Sequence, residues 1–185
     1  MILAIHGGLY VDTNCECRRP FDFIQESDDL IVAPELQTSS AQIRELYNTP
    51  RSELFCVWAL LSRPGHPLWF ELIDEVVARL GRTLSENRIV NLIDQSGPGA
   101  FTDVFRRYLD RGGRAHLVPG PTFGCANGSS LFQFARSFMF PELFRDVYVR
   151  HRSQASWVDP KMKRQWFLRS LFFIGPPQTK PTEKS

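Results

Sequence analysis

The chain has 185 residues, a formal net charge of +2 and 43% hydrophobic residues. That is enough apolar material to bury the core of one domain, and too little net charge to call for a nucleic-acid partner. No apolar run is long enough to span a bilayer, and residues 1–5 lack the length and the basic leader of a signal peptide.

Residues 1–6 predict the end of a helix, capped by Gly7 or Gly8 because glycine tolerates the left-handed conformation at that position. Residues 9–12 read as a short buried strand that carries Asp12 to its carboxyl end, where open α/β sheets bind ligands. Residues 18–22, Arg-Arg-Pro-Phe-Asp, lead away as a loop. A second strand is expected at residues 30–33, followed by a polar stretch without a decided period. Residues 53–61 are predicted helical, and Ser62-Arg63-Pro64-Gly65-His66-Pro67 breaks them. Pro67 is placed to open the next helix, in which Trp69, Leu72, Ile73, Val76, Val77 and Leu80 keep a helical period until Gly81 closes it.

Gln95-Ser96-Gly97-Pro98-Gly99 is a run of turn formers that opens another amphipathic helix, with Phe101, Val104, Phe105 and Tyr108 on one face and Gly112-Gly113 at its end. Strands are expected at residues 115–118 and 147–149, the second leading into His151. Residues 120–130 are loop-rich, residues 132–140 are aromatic and undecided, and residues 178–185 form a polar tail of disordered composition. The four cysteines are Cys15, Cys17, Cys56 and Cys125. The first two are one residue apart, which is no zinc spacing, so buried free thiols are expected.

Three loops mix glycine or serine with polar groups: residues 7–16, 96–103 and 151–157. Each has a plain reading. Asp12 and Asn14 suit a turn, Ser-Gly-Pro-Gly suits a helix start, and His151 suits a surface histidine. His66, in a Gly-His-Pro turn, reads as structural.

Taken in order, these segments resemble one family. "GGLYVDTNCECRRPFD" is similar to the Gly-Gly-Ile-Tyr-x-Asp-x-Asp segment of glycosyltransferases with the Asp-x-Asp sugar-binding motif, in the family that contains the yeast initiating α-1,6-mannosyltransferase and the inositol-phosphoceramide mannosyltransferase. "SRPGHPLWFELIDEVVARL" resembles its Pro-Gly-His-Pro segment and following helix. "QSGPGAFTDVFRRYL" resembles its Thr-Gly-Pro segment, with Ser96 for threonine. "HRSQASW" resembles its His…Ser-Trp element. The resemblance spans residues 6–157.

It implies an α/β chain with part of a GT-A-like nucleotide-sugar-binding fold and a mixed sheet. It also implies transfer of a hexosyl group, mannosyl in the first instance, from a nucleotide sugar to a glycan or glycolipid hydroxyl with retention. The donor is GDP-mannose or a UDP-sugar, and the cofactor is Mn²⁺ or Mg²⁺. By the same resemblance Asp12 holds ribose and metal, Asn14 occupies the position of the second aspartate, and His151 ligates the metal or bonds phosphate. Asn14 offers a carbonyl ligand without charge, and Glu16 lies close enough in sequence to compensate. Gly8, Tyr10, Gly97, Pro98, Ser156 and Trp157 fall at donor-binding positions. Asp103 is assigned to sugar hydroxyls at the catalytic centre, beside its plain reading as a carboxylate favoured by a helix N-terminus.

In the family the helix before the glycines carries an aspartate and an arginine that face the sugar, and residues 1–6 carry neither. The expectation is a truncated catalytic domain over residues 1–177 without the family's N-terminal strands and helices. The alternative is an inactive remnant that binds carbohydrate or serves as a scaffold. The basic stretch at residues 145–169, with aromatics after it, suits a solvated face or a peripheral membrane contact. Eukaryotic relatives work in the Golgi and bacterial ones in the cytoplasm.

Overall fold

The computed structural model describes residues 2–37, 39, 41, 44, 49–85, 92–123 and 147–151. Its elements are α1 (Ile2–His6), β1 (Gly8–Val11), β2 (Cys15–Cys17), β3 (Leu30–Val32), β4 (Pro34–Gln37), β5 (Glu53–Phe55), β6 (Ala59–Ser62), α2 (Pro67–Ser85), α3 (Leu92–Ser96), α4 (Pro98–Asp110), β7 (His116–Leu117), a 3₁₀ turn (Gly120–Phe123) and β8 (Val149–His151).

Every residue of β3 is sealed from solvent, which requires cover on both faces of its sheet. Side chains alternate along a strand. Leu30 and Val32 therefore join one cluster, with Phe55, Leu60, Leu68, Phe101, Val104 and Phe105. Ile31 and Ala33 join the other, with Cys56, Ala59, Val118, Phe123 and Val149. Helices α1, α2 and α4 cover the first face, and the 3₁₀ turn and β8 cover the second.

The sheet has the order β1-β6-β3-β7. β6 runs antiparallel to β1 and β3, and β7 runs parallel to β3, so β1, β3 and β7 share one direction. Two ribbons, β2-β8 and β4-β5, complete this mixed α/β architecture.

Helix α2 starts at Pro67, whose missing N–H is one that no helix start could pair. Ahead of it Gly65 holds φ +72°. The buried His66 accepts the Leu68 amide on Nδ1 (3.3 Å) and meets the Tyr108 hydroxyl with Nε2 (3.3 Å). Burial pulls its pKa below the ordinary histidine value, against the charge of Asp29. A neutral ring carrying its proton on Nε2 satisfies both contacts. His66 is a joint between α2 and α4, as its structural reading expected. Helix α4 keeps Phe101, Val104 and Phe105 buried, with Pro98 at its first turn and Gly112 (φ +85°) beyond its end.

Four expectations are corrected. The helix expected over residues 53–61 is two strands, β5 and β6, parted at residues 56–58. An apolar run buried on both faces hides the alternation that marks a strand. The strand at residues 9–12 is β1, exposed along its length because it has a neighbour on one side only. Gly81 lies inside α2, which runs to Ser85, and Val77 on its predicted apolar face is exposed. Cys17 is exposed and Cys15 half-buried, where buried thiols were expected; Cys56 is buried. The short strands β2 and β4 had no counterpart in the sequence reading. Residues 132–140 and 178–185 and Cys125 lie outside the described residues. Among the described residues no helix is long and apolar enough to cross a membrane.

Candidate functional site

The shared direction of β1, β3 and β7 puts their carboxyl ends at one edge of the sheet, the edge at which α/β sheets bind ligands. Asp12 follows β1 there. Residues 56–58 precede the antiparallel β6 at the same edge, and Ala33 follows β3.

The glycines make this arrangement reachable. The Gly7 amide donates to Leu3 O (3.0 Å) and closes α1. Gly7 and Gly8 hold φ +61° and +95°, turning the chain straight from helix into strand. A Cβ on Gly7 would stand 2.6 Å from Pro64 Cδ and 2.7 Å from Ser62 O, so the loop packs on the Pro-Gly-His-Pro turn.

Asp12 is fixed through its backbone and its side chain. Its amide donates to Trp58 O (2.9 Å), and its carbonyl accepts the Cys15 amide (2.9 Å) across a turn of Thr13 and Asn14. The Tyr10 hydroxyl donates to Asp12 Oδ1 (2.6 Å). That hydrogen bond to the carboxylate, with burial and the carboxylate's charge, pushes the Tyr10 pKa up to about 12. Burial and the charge of Asp12 push the Cys15 thiol up to about 11, so it is protonated at neutral pH.

His151 arrives from the other end of the described chain. The register of β2 with β8 sets Cys15 opposite His151, and His151 Nε2 lies 3.8 Å from Asp12 Oδ2. Burial lowers the pKa of His151, opposed by the charge of Asp12. The imidazole is therefore neutral at pH 7, the form that ligates metals. Among the described residues the buried Asn14 Oδ1 has no hydrogen-bond partner, an acceptor whose desolvation no described group offsets. Glu16, the suggested compensator, pairs with Arg18 (3.3 Å) and stands across from Arg150.

Among the described residues no three His, Cys, Asp or Glu side chains converge as a ready metal site. The donor set is Asp12 and His151, with Asn14 in the same turn as Asp12. Mg²⁺-type sites are commonly held by one or two protein carboxylates and completed by substrate phosphate and water. The residues present fit such a site, with one charge fewer than a pair of aspartates would bring.

The other predicted residues lie elsewhere. Asp103, on α4, accepts from Arg51 Nε (2.7 Å) and Nη2 (2.6 Å) and from Arg79 Nη2 (2.8 Å). Burial would raise its pKa, but the hydrogen bonds from the two arginines outweigh this and hold it below the ordinary value. Gly97 and Pro98 begin α4, with the Phe101 amide on Gly97 O (3.0 Å). Their described contacts join the helical layer. Ser156 and Trp157 lie outside the described residues.

Sequence reading missed Trp58. Its ring lies over His151 with centroids 4.8 Å apart and planes at 31°, and its Nε1–H donates to Phe123 O (3.1 Å). It sits in the stretch taken for a helix, and only the break between β5 and β6 brings it beside Asp12.

The initiation-specific α-1,6-mannosyltransferase of Candida albicans is 27% identical over 129 residues, 60% of this chain and 33% of that protein. Over that span the chain is similar to the initiation-specific α-1,6-mannosyltransferases. The Schizosaccharomyces pombe enzyme of that name is 26% identical over 121 residues, 60% of this chain and 30% of its own length. A Saccharomyces cerevisiae protein named as a candidate glycosyltransferase, HOC1, is 26% identical over 123 residues, 60% of this chain and 31% of its own. The chain spans about a third of the length of each of these relatives. No family model and no solved structure matches it.

Proposed function

We propose that this chain forms part of the catalytic domain of a metal-dependent, retaining glycosyltransferase with a GT-A-like nucleotide-sugar-binding fold. It would move a hexosyl group, mannosyl by the names of its relatives, from GDP-mannose or a UDP-sugar to a glycan or glycolipid hydroxyl. The observation that carries this reading is the meeting of Asp12 and His151, from opposite ends of the described chain, at the carboxyl edge of the sheet.

Departure of a nucleoside diphosphate builds negative charge, and a bound Mn²⁺ or Mg²⁺ supplies the Lewis acid that neutralises it. Asp12, His151 and Asn14 would hold the cation and leave its remaining positions to phosphate oxygens. Tyr10 fixes Asp12 Oδ1 and leaves Oδ2 on the His151 side. The lowered pKa of His151 keeps its lone pair available at neutral pH. Asp103 is left out of this chemistry, since its carboxylate already serves two arginines.

Asn14 favours a second reading, a protein that binds glycans without turnover, because a neutral ligand weakens the hold on a divalent cation. The test is Mn²⁺-dependent transfer or hydrolysis of GDP-mannose by the native gene product, with Asp12→Ala and His151→Ala beside it. Both variants should lose turnover and Mn²⁺ binding. Turnover retained in Asp12→Ala would remove Asp12 from the site, and glycan binding with no turnover in the wild type would establish the second reading.

A further inference from the structure

Trp58 touches both halves of the candidate metal pair. Its carbonyl accepts the Asp12 amide at 2.9 Å and lies 3.8 Å from the Cys15 thiol, the residue set opposite His151. Its indole lies over the His151 ring at 4.8 Å. The indole itself is held by its Nε1–H on Phe123 O, in the 3₁₀ turn that packs against β8. The placement depends on the break between β5 and β6. Cys56 still pairs with Ala33 through its amide (2.9 Å), and β6 resumes pairing with β3 only at Leu61 and Ser62. Residues 57 and 58 thus stand out of the pairing with β3 at the ligand edge, and the Trp58 carbonyl serves the Asp12 loop.

We propose that Trp58 is a positioning residue for the metal pair: its indole fixes the plane of the His151 imidazole so that Nε2 faces Asp12. This rests on the metal reading of the preceding subsection. A histidine ring on a three-residue strand rotates about two torsions, and a ligand that must be ordered at the moment of binding binds more weakly. Outer contacts that orient a metal-bound histidine change metal affinity by about 10–100-fold when removed. A flat ring at stacking distance does this without competing for the imidazole nitrogens.

The experiment uses the 185-residue chain, with Mn²⁺ alone as the probe. Two readouts are taken: Mn²⁺ affinity by electron paramagnetic resonance of the free ion, and the ring-proton NMR signals of His151. In the wild type the indole ring current shifts those signals and Mn²⁺ broadens them. Trp58→Leu removes the stack but keeps the backbone carbonyl. It should abolish the ring-current shift and weaken Mn²⁺ binding by about 10–100-fold. Trp58→Phe restores an aromatic face without the indole N–H and should recover most of the affinity. That separates orientation of His151 from packing against Phe123, and it covers the case in which the leucine variant folds poorly. Unchanged His151 signals and unchanged affinity in Trp58→Leu would overturn the proposal, as would a Trp58→Phe variant as weak as the leucine one. Wild-type His151 left unbroadened by Mn²⁺ would overturn the metal reading and the role of Trp58 with it, whereas equal binding by wild type and Trp58→Leu would overturn only the latter.

Discussion

Replacing Asp103 separates the two roles open to it. In the structure its carboxylate accepts three hydrogen bonds from Arg51 and Arg79, whose side chains are 18% and 10% exposed. A hydrogen bond to a charged group contributes roughly 1.5–3 kcal/mol, which sets a gross upper range for three. Two facts reduce it. Arg51 keeps its ion pair with Asp94 and Arg79 keeps Glu75 at 2.7 Å, so neither cation is stranded. The Asp103 side chain is 32% exposed, and solvent screens part of the attraction. Asp103→Ala should therefore cost about 2–3 kcal/mol, a fall in Tm of about 4–12 °C for a chain of this size. Urea unfolding at neutral and acid pH is the assay. Because the folded pKa is held low, the contribution is complete above the ordinary aspartate value of about 3.9 and fades as pH falls through the folded value. Asp103→Asn should thus differ most from wild type at pH 7 and least at the acid end. An unchanged midpoint at pH 7, joined to lost nucleotide-sugar turnover, would refute this reasoning and restore Asp103 to the sugar hydroxyls.

Glu35 stands at an irregularity in the β4-β5 ladder with Oε2 buried and without a partner among the described residues, and burial pushes its pKa up to about 7. The unfolded chain ionises it from about pH 4.3 upward, so the wild type loses stability between there and pH 7. Glu35→Gln should gain up to about 3 kcal/mol over wild type at pH 8 and little at pH 4; parallel urea midpoints for the two proteins at both values would exclude this. Gly7→Ala meets Pro64 and Ser62 backbone as well as a positive φ, whereas Gly112→Ala meets only the φ, with nothing within 4 Å of the added carbon. The first should cost about 2–4 kcal/mol and the second about 1 kcal/mol, and equal thermal shifts would mean that the Pro64 contact yields.

The parts of the fold legible in the sequence are those with a strong local signal. Helix α4 announced itself through Gly97-Pro98 and the spacing of Phe101, Val104 and Phe105, and α1 through the glycines that stop it. Helix α2 was clear at Pro67 and wrong at Gly81, since a glycine within an amphipathic run lowers stability without ending the helix. Strands buried on both faces gave no alternation to read, which is why β6 was taken for helix. The site was legible only in pieces. Asp12, Asn14 and His151 stood out as residue types in loops, but nothing local says that β8 pairs with β2 and delivers His151 to Asp12. The surroundings of Asp103 were hidden for the same reason. Its partners, Arg51 and Arg79, lie 52 and 24 residues away in sequence, and a carboxylate near a helix start looks alike whether it meets sugar or arginine.

The meeting of His151 with Asp12 therefore depends on the β2-β8 register, and the contacts of Tyr148 support that register. Three residues pair on each strand, too few to fix an alignment alone, and a slip of one would turn His151 to the opposite face. Tyr148, just ahead of β8, is tied down on several sides. Its amide donates to Thr122 O (2.9 Å) and its carbonyl accepts the Arg18 amide (2.8 Å). Its ring meets Phe23 edge-on at 4.7 Å and Phe21 at 6.3 Å, with the Arg19 guanidinium 4.8 Å above it. Tyr148→Ala leaves the backbone bonds and removes the ring contacts, each worth about 0.5–1.5 kcal/mol, so a loss of roughly 2–4 kcal/mol is expected once the burial of the ring is included. Stability and Mn²⁺ affinity should fall together in this variant, and the His151 ring signals should broaden as the strand samples more than one alignment. Trp58→Leu should instead lower affinity with the smaller change in stability. If Tyr148→Ala loses stability while its Mn²⁺ affinity and His151 signals stay those of the wild type, the register is set within the ribbon itself and the aromatic cluster is only ballast for the core.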